Sequence, residues 1–139
     1  MKKDDCIFCK IANGDIPAQS LYEDDDFKVI LDRGPAAKGH ALVLPKEHFD
    51  DVFSMDEKTA GNVFKVAAKV ARAISKAYPC DGMNILQNNG RAAGQTVFHL
   101  HMHIIPRYEN DTINMSWNPG EITDEQIDEY ADAIRSKID

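Results

Sequence analysis

The chain has 139 residues, a formal net charge of −7 and 43% hydrophobic residues, which is the composition of an ordinary globular protein. No apolar run approaches the ~20 residues of a membrane span, and the acidic surplus argues against binding along a nucleic-acid backbone. Residues 1–10 lack the apolar segment of a secretory signal. We therefore expect one cytoplasmic domain over residues 1–139, with neither a membrane nor a nucleic acid as its partner.

The first third of the chain is predicted to form a loop-rich entry followed by two strands. Residues 1–20 contain several turn-forming residues, with a short helical turn predicted after Cys9, and the acidic run at 23–26 is predicted to be a turn. The apolar runs at 27–31 and 40–45 are separated by Gly and Pro turn signals, which is typical of strands.

Two amphipathic helices are predicted from capping residues and apolar spacing. Ser54 and Glu57 fit a capping box, and the apolar residues that follow recur at helical spacing until Pro79 ends the pattern. Thr123 and Gln126 form a second box, ahead of a shorter amphipathic run at the C-terminus. The chain is therefore expected to contain one long helix and one C-terminal helix.

Two more strands are predicted at 83–88 and 97–106. Strands that are neighbours in sequence, with the helices segregated from them, favour an α+β fold built on an antiparallel sheet.

The second of these strands contains three of the five histidines in the chain, at every second position: His99, His101 and His103. Side chains alternate faces along a strand, so the three imidazoles are expected to share one face. The other face is predicted to pack in the core through Phe98, Leu100, Met102 and Ile104. A single histidine would fit an ordinary solvated face. Three in a row reduce β-propensity without a structural return, which indicates a functional role.

Two kinds of chemistry suit this row. Histidines two apart on a strand can chelate one metal ion, and a neutral imidazole can act as a nucleophile or transfer a proton at pH 7. The loop at 87–96 runs directly into the row and contains Gly90 and Gly94, which permit close backbone approach. Its backbone N–H groups, together with the side chains of Asn88, Gln95 and Thr96, can form an anion-binding concavity. A phosphate cradle beside imidazoles favours phosphorus chemistry.

The stretch GQTVFHLHMHII resembles the signature of the histidine triad (HIT) family, in which histidine alternates with apolar residues. The segments CIFCKIANGDIPA and GHALVLPKEH resemble two further blocks of bacterial members, so the likeness covers most of residues 5–107. It implies a HIT-like fold: an antiparallel sheet of about five strands, one long helix and a C-terminal helix. The likeness weakens over the C-terminal loop and helix at 108–139.

The resemblance also implies an activity. His101 would attack the α-phosphorus of a purine nucleotide, and water would hydrolyse the nucleotidyl-histidine to release a nucleoside monophosphate. The substrates implied are nucleoside phosphoramidates or dinucleoside polyphosphates, with no organic cofactor and a homodimeric protein. His103 would bind the phosphate or assist the leaving group, His99 would orient its neighbours, and His40 matches a further active-site histidine of the family.

The same resemblance implies a set of substrate-binding residues. Asp32 matches the position that holds the ribose hydroxyls, which its two acceptor oxygens suit. The positions expected to contact phosphate are Asn88, Gly94, Gln95 and Thr96.

The Cys6-x-x-Cys9 spacing fits one half of a tetrahedral zinc site. His48 and His99 are the candidates for the remaining ligands, as in several bacterial relatives, and the zinc would be structural. The alternatives are two reduced surface thiols or, less favoured, a redox pair.

Two other functions stay open at this point. The row His99, His101 and His103 could itself ligate a metal, although such sites usually add a carboxylate and the nearest one along the chain is Glu109. The chain could also be a nucleotide-binding regulatory protein with little turnover.

Overall fold

A computed structural model describes all 139 residues, which form three α-helices and one five-stranded antiparallel sheet. The sheet order is β1-β2-β3-β5-β4, and the strands are β1 (Ser20–Glu23), β2 (Phe27–Leu31), β3 (Ala41–Pro45), β4 (Gly82–Gln87) and β5 (Met102–Arg107). The helices are α1 (Ile7–Ala12), α2 (Glu57–Ala77) and α3 (Asp124–Arg135). The predicted α+β architecture is therefore confirmed.

The two faces of the sheet bury different partners, because alternate residues of each strand point to opposite sides. One face packs against the apolar side of α2, in a core of eleven buried residues that includes Val29, Val43 and Ile104. The opposite face carries a smaller cluster, in which Ile30, Leu42 and Leu44 pack against Ala12 at the end of α1. His103 pairs with Leu42 across β3 and β5, which places the histidines on this second face.

The predicted start of α2 is wrong by two residues. Its N-cap is Asp56, whose side chain accepts a hydrogen bond from the backbone N–H of Thr59 at 3.0 Å. Ser54 instead ends a 3-10 turn capped by Asp51, so the box predicted at Ser54 and Glu57 does not form. The capping box of Thr123 and Gln126 is confirmed at the start of α3.

Two features near the N-terminus differ from the prediction. The helical turn begins before Cys9 rather than after it, because Cys6 caps α1 by accepting the backbone N–H of Cys9 at 3.3 Å. β1 was not predicted, since it is a four-residue edge strand in which only Tyr22 is even partly buried. So short and exposed a strand leaves no apolar alternation in the sequence.

The histidine strand is shorter than the predicted range of 97–106. Its neighbour β4 ends at Gln87, opposite Met102, so the residues before Met102 have no strand to pair with on that side. The chain there lies over Phe49 instead, whose carbonyl accepts the N–H of Leu100 at 2.6 Å. Phe98, predicted to lie in the core, is 44% exposed.

The C-terminal residues 112–139 form an arm of which no residue is buried. Among all three helices, none combines the length and apolar character that crossing a membrane requires.

Candidate functional site

The three histidines of the row occupy three different environments. His99 is fully buried, His101 is 8% exposed and His103 is partly buried. His99 lies among cysteines, His103 lies beside an aspartate, and His101 stands between them. The row therefore does not converge on one point, which argues against a single metal site made of these three imidazoles.

The first group, which we call the cysteine cluster, consists of Cys6, Cys9, His48 and His99. His99 Nδ1 lies 3.4 Å from both thiol sulfurs and 3.2 Å from His48 Nδ1, and Cys9 Sγ lies 3.3 Å from His48 Nδ1. A tetrahedral zinc ion held by two sulfurs and two nitrogens has S···N edges of roughly 3.6 Å. The four ligand atoms are thus spaced as such a site requires.

The outer ring nitrogens of the two histidines donate hydrogen bonds outward, which leaves the lone pairs of the inner nitrogens directed into the cysteine cluster. His99 Nε2 donates to the carbonyl of Pro45 at 2.8 Å, and His48 Nε2 donates to Asp50 Oδ1 at 2.6 Å. Each Nδ1 is then the unprotonated nitrogen that a metal needs, in the usual carboxylate–histidine or carbonyl–histidine arrangement. Burial lowers the pKa of His99 to about 4, which keeps it neutral at pH 7. The donor set fits zinc.

The second group, the aspartate cluster, consists of Asp32, His40 and His103. The backbone N–H of Ala36 donates to His40 Nδ1 at 2.9 Å, so the proton of neutral His40 is on Nε2. That nitrogen lies 2.9 Å from His103 Nδ1 and 3.4 Å from Asp32 Oδ2. His103 Nδ1 is therefore an acceptor, and His103 carries its own proton on Nε2.

This protonation pattern makes the aspartate cluster a hydrogen-bond network. A metal ion would need the lone pair of His40 Nε2, yet the N–H of Ala36 requires the lone pair to be on Nδ1. Burial lowers the pKa of His40 and lowers that of His103 to about 4, so both rings are neutral at pH 7.

His101 presents a free ring nitrogen. Its Nδ1 donates to the backbone carbonyl of His99 at 2.7 Å, which leaves the lone pair on Nε2. Burial lowers the pKa of His101 below that of a free imidazole, so the neutral form dominates at pH 7. The ring also lines a cavity of about 600 Å³. These are the properties of a nitrogen nucleophile.

The cavity has an apolar part and a polar end. The apolar wall comes from α1, β2 and β3, and includes Phe8, Leu31 and Leu42. His101 and His103 lie at the polar end, together with Asp32 and Thr96. A mostly apolar cavity with a few convergent polar groups is the usual form of a small-molecule site.

The glycine-containing loop borders this polar end. Gly90 and Gly94 have φ values of +86° and +92°, which other residues rarely adopt. Gln95 is 2% exposed, and its side chain accepts the N–H of Gly90 at 2.7 Å and donates to the carbonyl of Asp50 at 2.6 Å. Gln95 thus braces the loop, while Thr96 faces the cavity. The predicted substrate contacts of this loop stay predictions.

Sequence reasoning missed several residues of the site. Asp32, expected only as a ribose contact, is also the carboxylate beside His40, a place for which the sequence offered Glu109 as the nearest carboxylate along the chain. The N–H of Ala36 and the carbonyl of Pro45 are backbone groups, which leave no signal in the sequence. Asp50 does leave a signal in the sequence, because a carboxylate two residues after His48 is well placed to accept a hydrogen bond from that ring.

Comparisons with known proteins agree with this geometry. The HIT domain sequence profile matches residues 13–110. The adenosine 5'-monophosphoramidase hnt1 of Schizosaccharomyces pombe is 40% identical over 134 residues, which are 96% of this chain and 98% of that protein.

Two solved structures are also similar. A HIT family protein from Bacillus anthracis has a TM-score of 0.92 and 42% identity, covering 98% of this chain and 99% of its own. A zinc-bound histidine triad family protein from Mycobacterium smegmatis has a TM-score of 0.75 and 41% identity, covering 84% of each chain.

Proposed function

The chain belongs to the HIT family, and on that basis we propose that it is a nucleotide hydrolase that releases a nucleoside monophosphate through a covalent intermediate on His101. One observation carries the proposal: His101 Nδ1 is bound to the carbonyl of His99, so the lone pair of a neutral ring is on Nε2, beside a cavity of nucleotide size.

In the first step, His101 Nε2 attacks the α-phosphorus of the nucleotide. A P–N bond to the ring forms, the bond from phosphorus to the leaving group breaks, and the imidazole becomes cationic. His103 Nε2–H supplies a proton to the leaving group, and His40 Nε2–H donates a hydrogen bond to His103 Nδ1, which stabilises the ring that has given up its proton. In the second step, water attacks the phosphorus and gives one proton to His103 Nε2, the P–N bond breaks, and the nucleoside monophosphate leaves as His101 and His103 return to their neutral forms.

The proton on His103 favours a phosphoramidate as the substrate. An amine leaves only when it is protonated, whereas a polyphosphate leaves as an anion and requires cationic side chains. Arg107 does not supply that charge, since it binds Asp111 at 2.8 Å and Asn84 at 2.8 Å. Arg33 is the one cationic residue that lines the cavity. The similarity to a monophosphoramidase supports the same choice.

The cavity suggests where each part of a purine nucleotide lies. The apolar wall suits the flat base, and Asp32 Oδ2 suits the ribose hydroxyls. Thr96 and the adjoining loop residues Asn88 and Gly94 suit the phosphate, because small residues and amide groups there allow close approach.

We assign a structural zinc ion to the cysteine cluster, since its four ligand atoms have the spacing and protonation that zinc requires. Zinc there would cross-link α1 to the segment after β3 and to the segment before β5. Cys6 and Cys9 can ligate zinc only while they are reduced rather than joined in a disulfide, which supports a cytoplasmic location.

The C-terminal arm supports the proposal of a homodimer. Helix α3 contains five acidic residues and one basic residue, whereas α2 contains five basic residues and one acidic residue. Ile127, Tyr130 and Ile134 of α3 are 47%, 50% and 63% exposed, and Phe64 of α2 is 56% exposed. Helix α3 thus exposes apolar side chains among acidic ones, and α2 exposes an apolar side chain among basic ones. The two surfaces are complementary in charge, so we propose that α3 of one copy packs against α2 of the second.

Multi-angle light scattering tests this dimer. Ile134→Asp puts a charge into the apolar face, and the mass is expected to fall from 31 to 15.5 kDa, since one chain is 15.5 kDa and a dimer is twice that. Ser136→Asp, which adds the same charge at the C-cap of α3 and outside its apolar face, is expected to stay dimeric. A wild-type protein of 15.5 kDa would overturn the dimer.

Turnover of adenosine 5'-phosphoramidate tests the activity. The wild-type protein is expected to release AMP, and His101→Gly is expected to lose at least about a thousandfold in rate. Added imidazole is expected to restore part of that loss, because it fits the space left by the side chain. Zinc content and melting temperature of the variant serve as the folding control. Tight AMP binding without turnover in the wild type would instead indicate a regulatory protein.

A further inference from the structure

Helix α1 connects the cysteine cluster to the nucleotide cavity. Cys6 caps the helix and Cys9 lies in its first turn, so the two residues between the ligands, Ile7 and Phe8, are fixed whenever both sulfurs are bound. Both of these residues line the cavity. A metal at the cysteines therefore fixes part of the cavity wall.

Phe8 also contacts the nucleophile. Its ring packs edge-on against His101, with 4.9 Å between ring centroids, and against His99 at 6.1 Å. Edge-to-face packing of this kind restricts the rotation of both rings. Phe8 thus lies between the metal ligand His99 and the reacting group His101.

A second connection runs through the backbone. The side chain of His99 belongs to the cysteine cluster, while its carbonyl accepts the Nδ1 proton of His101. The segment after His48 continues the same link, since Asp50 accepts the Gln95 side chain that braces the glycine loop. The cysteine cluster is therefore joined to the cavity at the wall, at the nucleophile and at the loop.

We infer that metal binding by the cysteine cluster sets the nucleotide affinity of the cavity, and that Phe8 is the positioning residue that couples the two. The inference rests on the proposed function, because it takes the cavity to be the nucleotide site. Coupling between two binding sites is reciprocal, so AMP bound in the cavity also strengthens zinc binding by the same factor.

The test measures AMP affinity by calorimetry on zinc-loaded and chelator-treated protein, with circular dichroism and zinc content recorded for each sample. We expect chelation to weaken AMP binding about tenfold or more in the wild type. In zinc-loaded Phe8→Ala we expect a loss of similar size with one zinc retained, and no further loss when that zinc is removed.

Leu31→Ala is the matched control, because Leu31 lines the same cavity from β2 and has no link to the cysteines. It is expected to weaken AMP binding but to keep the full sensitivity to zinc. In turnover, Phe8→Ala is expected to raise KM and lower kcat together, and Phe8→Tyr, which keeps the ring, is expected to restore both. Phe8→Ala that binds AMP like the wild type would overturn the inference.

Other outcomes separate the inference from the function on which it rests. Wild-type protein that binds AMP equally well with and without zinc overturns the coupling and leaves the proposed function intact. Zinc-loaded wild type that neither binds AMP nor turns over the phosphoramidate overturns both. If chelation unfolds the chain, zinc-loaded Phe8→Ala and Phe8→Tyr decide, and the expected result is an AMP affinity that falls about tenfold in Phe8→Ala and is restored in Phe8→Tyr.

Discussion

The cysteine cluster and the aspartate cluster contain the same kind of side chain on the same face of the sheet, yet they suit different chemistry. Each holds two buried or partly buried histidines, with ring nitrogens within 4.8 Å of a carboxylate in one cluster and of two thiols in the other. In the cysteine cluster both outer nitrogens donate outward, so both lone pairs point inward. In the aspartate cluster one lone pair points to Ala36, so protons and lone pairs alternate along the network.

In both clusters, the hydrogen-bond partner of the second ring nitrogen decides whether the first one binds a metal or donates a proton. A carbonyl or carboxylate there leaves a lone pair for a metal, as at His99 and His48. A backbone N–H there leaves a proton to donate, as at His40. Distances between the ligand atoms alone do not separate the two clusters, because both lie within metal-binding range.

The largest effect is expected from breaking the cysteine cluster. Cys9→Ser removes a buried ligand, and the free energy of unfolding is expected to fall by several kcal/mol, or roughly 10 °C in melting temperature, with loss of the bound zinc. Calorimetry and zinc analysis measure both. Cys80→Ser is the matched control, since Cys80 lies outside the cluster, and it is expected to retain zinc. A Cys9→Ser protein with full zinc and an unchanged melting temperature would contradict the assignment.

The next effect is expected from breaking the aspartate cluster. His40→Ala removes the donor that fixes the proton of His103 on Nε2, and kcat is expected to fall about a hundredfold. Zinc content is expected to stay at that of the wild type, which separates this cluster from the other. A His40→Ala protein that loses zinc would show that the two clusters are one unit.

A smaller effect is expected at Asp50, the outer partner of His48 in the cysteine cluster. Asp50→Asn weakens the bond that orients His48, and zinc affinity is expected to fall about tenfold to a hundredfold. Competition with a calibrated chelator measures this change. Asp51→Asn, one residue away and engaged only with its own 3-10 turn, is the control that is expected to leave zinc affinity unchanged.

The smallest effect is expected from pH. Burial lowers the pKa of His101, so the nucleophile stays neutral below the range of a free imidazole, near 6.5. The acid limb of the kcat/KM profile is therefore expected to lie below pH 6.5. In the unfolded chain His103 takes up a proton near pH 6.5, whereas burial lowers its pKa in the folded chain to about 4. The free energy of unfolding is therefore highest above pH 6.5 and falls as the pH drops from 6.5 towards 4. An acid limb above pH 6.5 would contradict the burial of His101.

The sequence predicts the architecture well where the signal is local. The apolar runs of β2 and β3, the apolar spacing of α2 and the cap of α3 each specify their element within a few residues. The prediction fails where a tertiary partner decides the outcome. Residues 97–101 have strand periodicity, but β4 ends opposite Met102 and leaves them no strand to pair with on that side.

The site follows the same division. The row of histidines and the CxxC spacing mark residues whose chemistry is visible in the sequence, and the structure brings Cys6, Cys9, His48 and His99 together as expected. The sequence does not show that the histidine row is divided between two clusters, because this division depends on the carbonyl of Pro45 and the N–H of Ala36. Backbone groups of this kind are positioned only by the fold.

The covalent intermediate on His101 is the central claim, and mass spectrometry of the intact protein tests it most directly. Protein mixed with adenosine 5'-phosphoramidate and quenched in base within milliseconds is expected to carry one adenylate, and peptide mapping is expected to place it on His101. His101→Ala is expected to carry none. AMP release by the wild type with no adduct at any time point, or an adduct that persists in His101→Ala, would contradict the claim.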